Sequence, residues 1–282
     1  MNHLSLADWR HLNFDLLRCY RRQLYPQHRR VALTRPADWS LWIVESGWAQ
    51  VHLEDGQYAH AGAGEILQPP PLISRVQTFS DDAHIISIGW HAHWEDGFPL
   101  FHQPEPLIWQ TENCPDLLAA SASLCTCYHD QMTHAATCES LLFWADGERI
   151  FHTWIRTWLA QMQQTLGAIT RPEAYDPRLK LALRLLRSQG SGGPVPYALM
   201  QKELQLSRVH IDRLFRRHLG MTPKACLNQL LLQRVTRDIL SLSCSFKEIA
   251  YRHGFPNPAH FSTWFQRQTG YSPQSWRDLH TH

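Results

Sequence analysis

The feature that most constrains this chain is an internal repeat in its last third. A shift of about 50 residues superposes Phe215 on Phe265, Arg217 on Arg267, Gly220 on Gly270 and Pro223 on Pro273. Thr222-Pro223 and Ser272-Pro273 then match as an N-cap followed by a first-turn proline. Each copy reads as a short helix, a tight turn, a second helix, a glycine C-cap and Thr/Ser-Pro. In a helix-turn-helix the first helix braces the second, whose apolar side is held in the core while its other side enters the major groove. Ile211, Leu214 and Phe215 supply the inner side in the first copy, and Phe261, Trp264 and Phe265 in the second. The competing reading is an αα repeat for protein binding, but solenoids need three or more units. Two are present.

The surroundings of the repeat are helical throughout. Leu179, Leu181, Leu183, Leu185 and Leu186 open a helix capped by Asp176 with Pro177 at its first position, and Gly190-Ser-Gly-Gly-Pro194 ends it. Pro223 starts a longer helix through Leu227, Leu230, Leu231 and Ile239, and Ser245-Phe-Lys-Glu248 spells a capping box. Charge divides at the same place. Residues 1–176 hold 11 Lys and Arg against 20 Asp and Glu, whereas residues 177–282 hold 16 against 5. A basic stretch of that size suits a polyanion, or is simply a basic, soluble domain.

Phe246-Lys-Glu-Ile-Ala-Tyr-Arg-His-Gly254-Phe255, followed by Pro-Asn-Pro-Ala-His-Phe261-Ser-Thr-Trp-Phe265 and Gly270-Tyr-Ser-Pro273-Gln-Ser-Trp-Arg277, resembles the signature of the AraC/XylS family of bacterial transcription regulators. Leu206-Ser-Arg-Val-His-Ile-Asp-Arg-Leu-Phe215 through Pro223 resembles that family's first helix-turn-helix. The resemblance implies an AraC-type DNA-binding domain at 177–282 with two helix-turn-helix motifs. Base contacts are then expected from Arg208, Val209, Asp212 and Arg213 on the first reading helix and from Ala259, His260 and Thr263 on the second. Arg217, Asn257 and Arg267 join them as further DNA contacts. Thr263 stands where many members carry arginine, and it makes at most one hydrogen bond or a thymine methyl contact, so the first helix is expected to discriminate more. Asp212 either accepts from a cytosine amine or pairs with Arg208 or Arg216 one turn away. A helix from Pro223 to about Leu242 is roughly 30 Å long, near the ~34 Å between successive major grooves on one face of DNA.

The acidic first part carries strand-like stretches at 41–44, 49–53, 65–68 and 85–88, punctuated by Gly47, Asp55-Gly56, Gly62, Gly64 and Pro69-Pro-Pro71. Asp55-Gly56 is the clearest hairpin signal. The plan resembles the cupin-like effector domain that often precedes an AraC-type domain. The expected fold class is therefore α+β, an N-terminal cupin-like β-barrel over 1–176 followed by an all-α domain with two helix-turn-helix units.

A cupin barrel invites an enzyme reading, that of a cupin-type metalloenzyme with a helical appendage. Enzymatic cupins hold a divalent metal with several histidines and a carboxylate. Here the strand after Gly47 offers only His52, and Leu72 and Arg75 occupy the places of the turn glycine and the later histidine. His91-Ala-His93-Trp-Glu95 follows the proline-rich turn instead of preceding it and reads as two rim histidines. No catalytic residue, metal or cofactor is expected. Cys125-Thr-Cys127-Tyr-His129, with His134 and Cys138, matches no zinc spacing and reads as buried thiols rather than a sensor. The seven cysteines contain no CxxC pair and suit a reducing compartment.

Trp42, Trp48 and Trp90, with Trp39 and Trp94, are numerous enough to line an interior, as core filling or as aromatic faces for a small-molecule effector. Arg75 on a presumed strand suits an acidic effector. Finally, Phe151, Ile155, Trp158, Leu159 and Met162 recur at helical spacing within 148–166. Such a stripe packs on its own barrel or on a second chain; the resemblance implies dimerising helices here, so a homodimer is expected. No apolar run reaches about 18 residues, and Met1–Arg10 lacks the greasy stretch of a signal peptide. The expectation is a cytoplasmic regulator that does not enter a membrane, with double-stranded DNA as partner and RNA polymerase too if it activates.

Overall fold

The structure, a computed structural model, describes residues 12–33, 36, 38–94, 100–101, 103–134, 141–167, 176–188, 193–240 and 244–281. Glu95 and Cys138 lie outside them, as do the side chains of His129 and His134. The chain divides into two compact units, one of Phe14–Ala92 and Phe101–Thr170 and the other centred on Arg171–Arg277.

The first unit is built from β1 (Leu12–Gln23), β2 (Arg30–Leu33), β3 (Trp39–Ser46), β4 (Trp48–Leu53), β5 (Tyr58–Gly62), β6 (Glu65–Gln68), β7 (Arg75–Phe79), β8 (His84–Trp94) and β9 (Leu107–Gln110). Helices α1 (Pro115–His134) and α2 (Leu141–Leu166) follow. The strands do not close into the expected barrel. They form a five-stranded sheet, β1-β8-β3-β6-β9, and a separate four-stranded sheet, β2-β7-β4-β5. The reason lies at the corner after β5, where Gly62-Ala-Gly64, with Gly64 at φ +84°, hands the chain to the other sheet instead of extending the ladder. Asp55-Gly56 joins β4 to β5, with Gly56 at φ +88° and the Asp55 side chain accepting from the Gln57 N–H at 3.1 Å.

Alternation along each strand sorts the core into two layers. Trp42, Val44, Leu67 and Ile85 of the larger sheet meet Ala49, Val51, Leu53, Ala59, Ala61 and Phe79 of the smaller one in a single apolar cluster. The opposite face of the larger sheet is covered by α2. Trp90 lies 4.7 Å from Trp154 and 4.9 Å from Trp158, and Trp39 lies 5.3 Å from Trp158, between ring centroids. Trp158 Nε1 donates to Gln68 Oε1 at 2.8 Å, and Trp154 Nε1 to Ser121 Oγ of α1 at 2.9 Å. Each such aromatic pair is worth about 0.5–1.5 kcal/mol beyond its buried area.

This packing corrects the expectation for 148–166. Phe151, Ile155, Trp158 and Met162, assigned to a second chain, are at most 3% exposed within this one. The aromatic layer over the larger sheet uses the apolar area that seemed too great for one domain to cover; Leu159 alone of the five keeps partial exposure. The tryptophans expected to line one effector site also part company. Trp42 points into the sandwich against Phe79, Trp90 lies under α2, and Trp48 is half-buried on the outer face of β4 beside His60. His91 is buried rather than on a rim.

The second unit contains α3 (Pro177–Ser188), α4 (Tyr197–Leu204), α5 (Arg208–Leu219), α6 (Pro223–Leu240), α7 (Phe246–Arg252), α8 (Pro258–Thr269) and α9 (Pro273–Thr281). Helix α6 is its spine. Its second half buries Leu231, Val235 and Ile239 with Ile249, Ala250, Phe255, Phe261, Trp264, Phe265 and Trp276 of α7–α9. Arg234 donates to the Arg187 carbonyl at the end of α3. Arg277 of α9 lies over the Phe246 ring and donates to the Ile239 and Cys244 carbonyls.

Candidate DNA-binding interface

The repeat is realised in detail. Helices α5 and α8 are each 12 residues long, start one residue after Ser207 and Asn257, and end at Gly220 and Gly270. Ser207 Oγ accepts from the His210 N–H, and Asn257 Oδ1 from the His260 N–H at 2.8 Å with Pro258 at the first helical position. Both closing glycines take the left-handed conformation, at φ +63° and +80°, where a β-carbon is costly. The first copy turns from α4 to α5 through Gln205 at φ +52°, the second from α7 to α8 through Gly254 at φ +73°.

Each of these helices is anchored on one side and open on the other. Ile211, Leu214 and Phe215 of α5 are buried, as are Phe261, Trp264 and Phe265 of α8. The α5 face opposite carries Arg208, Val209, Arg213, Arg216 and Arg217, all exposed, with Val209 at 64%. On α8 the exposed set is Ala259, His260, Thr263, Gln266 and Arg267. Thus nine of the ten residues expected at a DNA surface are exposed, and they form two clusters, one per helix. Asn257 is among them, but its Oδ1 is committed to capping α8.

Asp212 has a partner that neither reading of it named. It is half-buried and accepts a 2.7 Å hydrogen bond from the Tyr197 hydroxyl on α4, while the Arg208 guanidinium lies 4.3 Å above the same tyrosine ring. Burial, then this bond to a carboxylate, raises the Tyr197 phenol above its usual pKa. Tyr197 therefore braces α5 on α4 and steers Arg208; sequence reasoning missed it because the pair spans two helices and has no periodic signature. Among the described residues Arg213, Arg217 and Arg267 carry no ion pair, so their charge is available outward.

Among the described residues, no group of three His, Cys, Asp or Glu could hold a metal ion. Cys19 and Cys125, on β1 and α1, are buried with their sulfurs 2.7 Å apart. No helix among the described residues is long and apolar enough to cross a membrane.

Comparison with known proteins agrees with this anatomy. Residues 200–278 match a family described as a helix-turn-helix domain. The chain is 35% identical over 83 residues to the HTH-type transcriptional activator RhaS of Salmonella arizonae, an alignment covering 29% of this chain and 30% of that protein. It therefore spans less than a third of the curated relatives it matches. Over the whole fold it is similar to ToxT from Vibrio cholerae O395, with TM-score 0.60, 12% identity and coverage of 96% of this chain and 99% of the other. Unsaturated fatty acid bound wild-type ToxT from Vibrio cholerae strain SCE256 gives TM-score 0.61 at 15% identity, covering 95% and 96%. The two capped, outward-facing helices thus lie within the segment that matches the helix-turn-helix profile, and the two-unit fold is similar to that of ToxT.

Proposed function

We propose that this protein is a sequence-specific DNA-binding transcription regulator, with DNA read by residues 177–282 and a small-molecule effector received by residues 1–176 as a cupin-like domain. Helix pairs α4–α5 and α7–α8 act as two helix-turn-helix units, and α5 and α8 enter successive major grooves. The observation that carries this reading is the pair of equally long, equally capped helices whose inner faces are buried and whose outer faces are exposed and basic. Helix α6, of 18 residues, is about 27 Å long at ~1.5 Å per residue, close to the ~34 Å groove repeat.

Arg213 is the best placed base reader, capable of a bidentate contact to guanine, while Arg217 and Arg267 serve as phosphate anchors. Thr263, His260 and Ala259 contribute less selectivity. Activation, with RNA polymerase as partner, follows the role named for RhaS, and the cytoplasm is the compartment such a regulator occupies. An effector in the first unit is in keeping with the fatty acid bound to ToxT.

The test is selection of duplexes from a random pool with the full chain, followed by affinity measurements across salt. Binding should weaken steeply with salt as counterions are released. Arg213→Ala should lose about 1–3 kcal/mol and relax preference at one base pair. A chain that ignores duplex DNA at low salt refutes the reading.

A further inference from the structure

Strand β1 is fixed on one face and presents a thiol on the other. Tyr20 packs against the sandwich core. Arg18, two residues away on the same face, pairs through Nη1 with Asp38 Oδ2 at 2.9 Å and donates through Nη2 to Ser40 Oγ at 2.6 Å. Gly89 of β8 makes room for that guanidinium, since a β-carbon there would meet it at 2.4 Å. Asp38 also faces the buried Arg75 of β7, and this cluster holds β1 in one register. Cys19 therefore points away from the sandwich, toward α1, and is 4% exposed.

Helix α1 is held as firmly. Ser121 Oγ accepts from Trp154 Nε1 of α2 at 2.9 Å, and Cys125 stands one turn further along the same face, 6% exposed. The two sulfurs are 2.7 Å apart, although 106 residues separate them in sequence. A disulfide bond is about 2.05 Å long, so an approach of well under ~1 Å separates the thiols from the bond. Two groups fixed at such a distance react as if at very high concentration. Burial, then the hydrogen bond with Cys125, holds the Cys19 thiol well above its usual pKa. The thiolate is the reactive form, so the pair yields only to an oxidant that persists.

We propose that Cys19 and Cys125 form an oxidation-driven staple, a disulfide that joins β1 to α1 when hydrogen peroxide reaches the first unit and that reopens by exchange with two small thiols. One thiol attacks the peroxide O–O bond, gaining an S–O bond and releasing water. The other sulfur then displaces a second water from that sulfenic acid; two thiols are oxidised and one peroxide becomes two waters. The staple encloses β2 to β9 and ties the edge strand of the larger sheet, otherwise joined to β8 alone, to the helical layer. A cross-link over so long a loop removes many conformations from the unfolded chain, so the linked form is the more stable one. In a reducing compartment the pair rests open, and the link follows oxidative conditions rather than folding.

The test is treatment of the folded full chain with millimolar hydrogen peroxide, then alkylation of the remaining thiols, proteolysis and mass spectrometry. The expected product is a single chain in which the Cys19 peptide is joined to the Cys125 peptide with loss of two hydrogens, and dithiothreitol should reverse it. The linked chain should melt several degrees above the reduced one. Cys125→Ala should lose both the link and the rise in Tm, with Cys19→Ala in its place should that variant not fold, while Cys127→Ser should respond as wild type does. Cys19 and Cys125 both still alkylated after the part-exposed Cys127 has been oxidised would overturn the proposal. So would a Cys19–Cys127 bond, a bond between chains, oxidation of either sulfur to sulfinic acid without a link, or a linked chain no more stable than the reduced one. None of these readouts involves DNA, so the regulator reading stands or falls separately.

Discussion

Replacing Tyr197 by Phe isolates one atom of the proposed interface. The ring, and with it the contact to Arg208, is retained, while the hydroxyl that donates to Asp212 at 2.7 Å is lost. A hydrogen bond to a charged group is worth about 1.5–3 kcal/mol net. Asp212 is half-buried and can be rehydrated, so the lower end applies, about 1.5 kcal/mol. At ~1.4 kcal/mol per tenfold, amides of α4 and α5 that exchange through local opening should exchange about 10-fold faster in native-state hydrogen exchange, with α8 unchanged as internal control. The pH dependence has a definite sign. Because the folded-state pKa of Tyr197 is raised, its contribution is fully present below the unfolded tyrosine value of about 10 and is lost as pH rises through the folded value. The gap in thermal stability between wild type and Tyr197→Phe should therefore stand at pH 7 and shrink at strongly alkaline pH. Identical exchange in the two proteins, or a gap that persists once tyrosine ionises, would refute the reasoning.

Two further outcomes test the packing. Ile155→Asp places a carboxylate at a site 3% exposed, costing on the order of 4–5 kcal/mol or more, so the tryptophan near-UV CD of the first unit should collapse; a folded monomer with wild-type Tm would instead show that this face is open to a second chain. Asn257→Ala removes the cap of α8 and should cost about 1 kcal/mol in thermal unfolding, whereas Asn257→Asp should retain stability, and equal losses in both would mean that the cap contributes nothing.

The second unit was legible in the sequence because its signals are local. Ser207, Asn257, Gly220, Gly270, Pro223 and Pro273 act within a few residues of themselves, and both helices run where the 50-residue offset put them. The strand cores at 41–44, 49–53, 65–68 and 85–88 also fall inside β3, β4, β6 and β8. What stayed hidden depended on partners distant in the chain. The α2 stripe reads alike whether it meets a sheet or another molecule, and only the three-dimensional placement of Trp39 and Trp90 decides. The cluster of Arg18, Asp38 and Arg75 draws on β1, the residue before β3, and β7, and has no spacing to betray it. Strand β1, with Arg18, Arg21 and Arg22 along it, does not look like a strand at all.

That first strand has a consequence for how the protein is made. Strand β1 ends at Gln23, yet its neighbour in the sheet is β8, which begins only at His84. During synthesis from the N-terminus β1 leaves the ribosome with no ladder to join, and it waits through some sixty further residues before its partner exists. Pairings so distant in sequence form slowly, and an unpaired edge is the template on which nascent chains aggregate. Three arginines on β1 are then a safeguard, since like-charged strands on neighbouring ribosomes repel until β8 arrives. The helical unit, whose contacts are mostly between consecutive elements, needs no such wait for a distant partner, so yield on overexpression is expected to follow the β-sandwich.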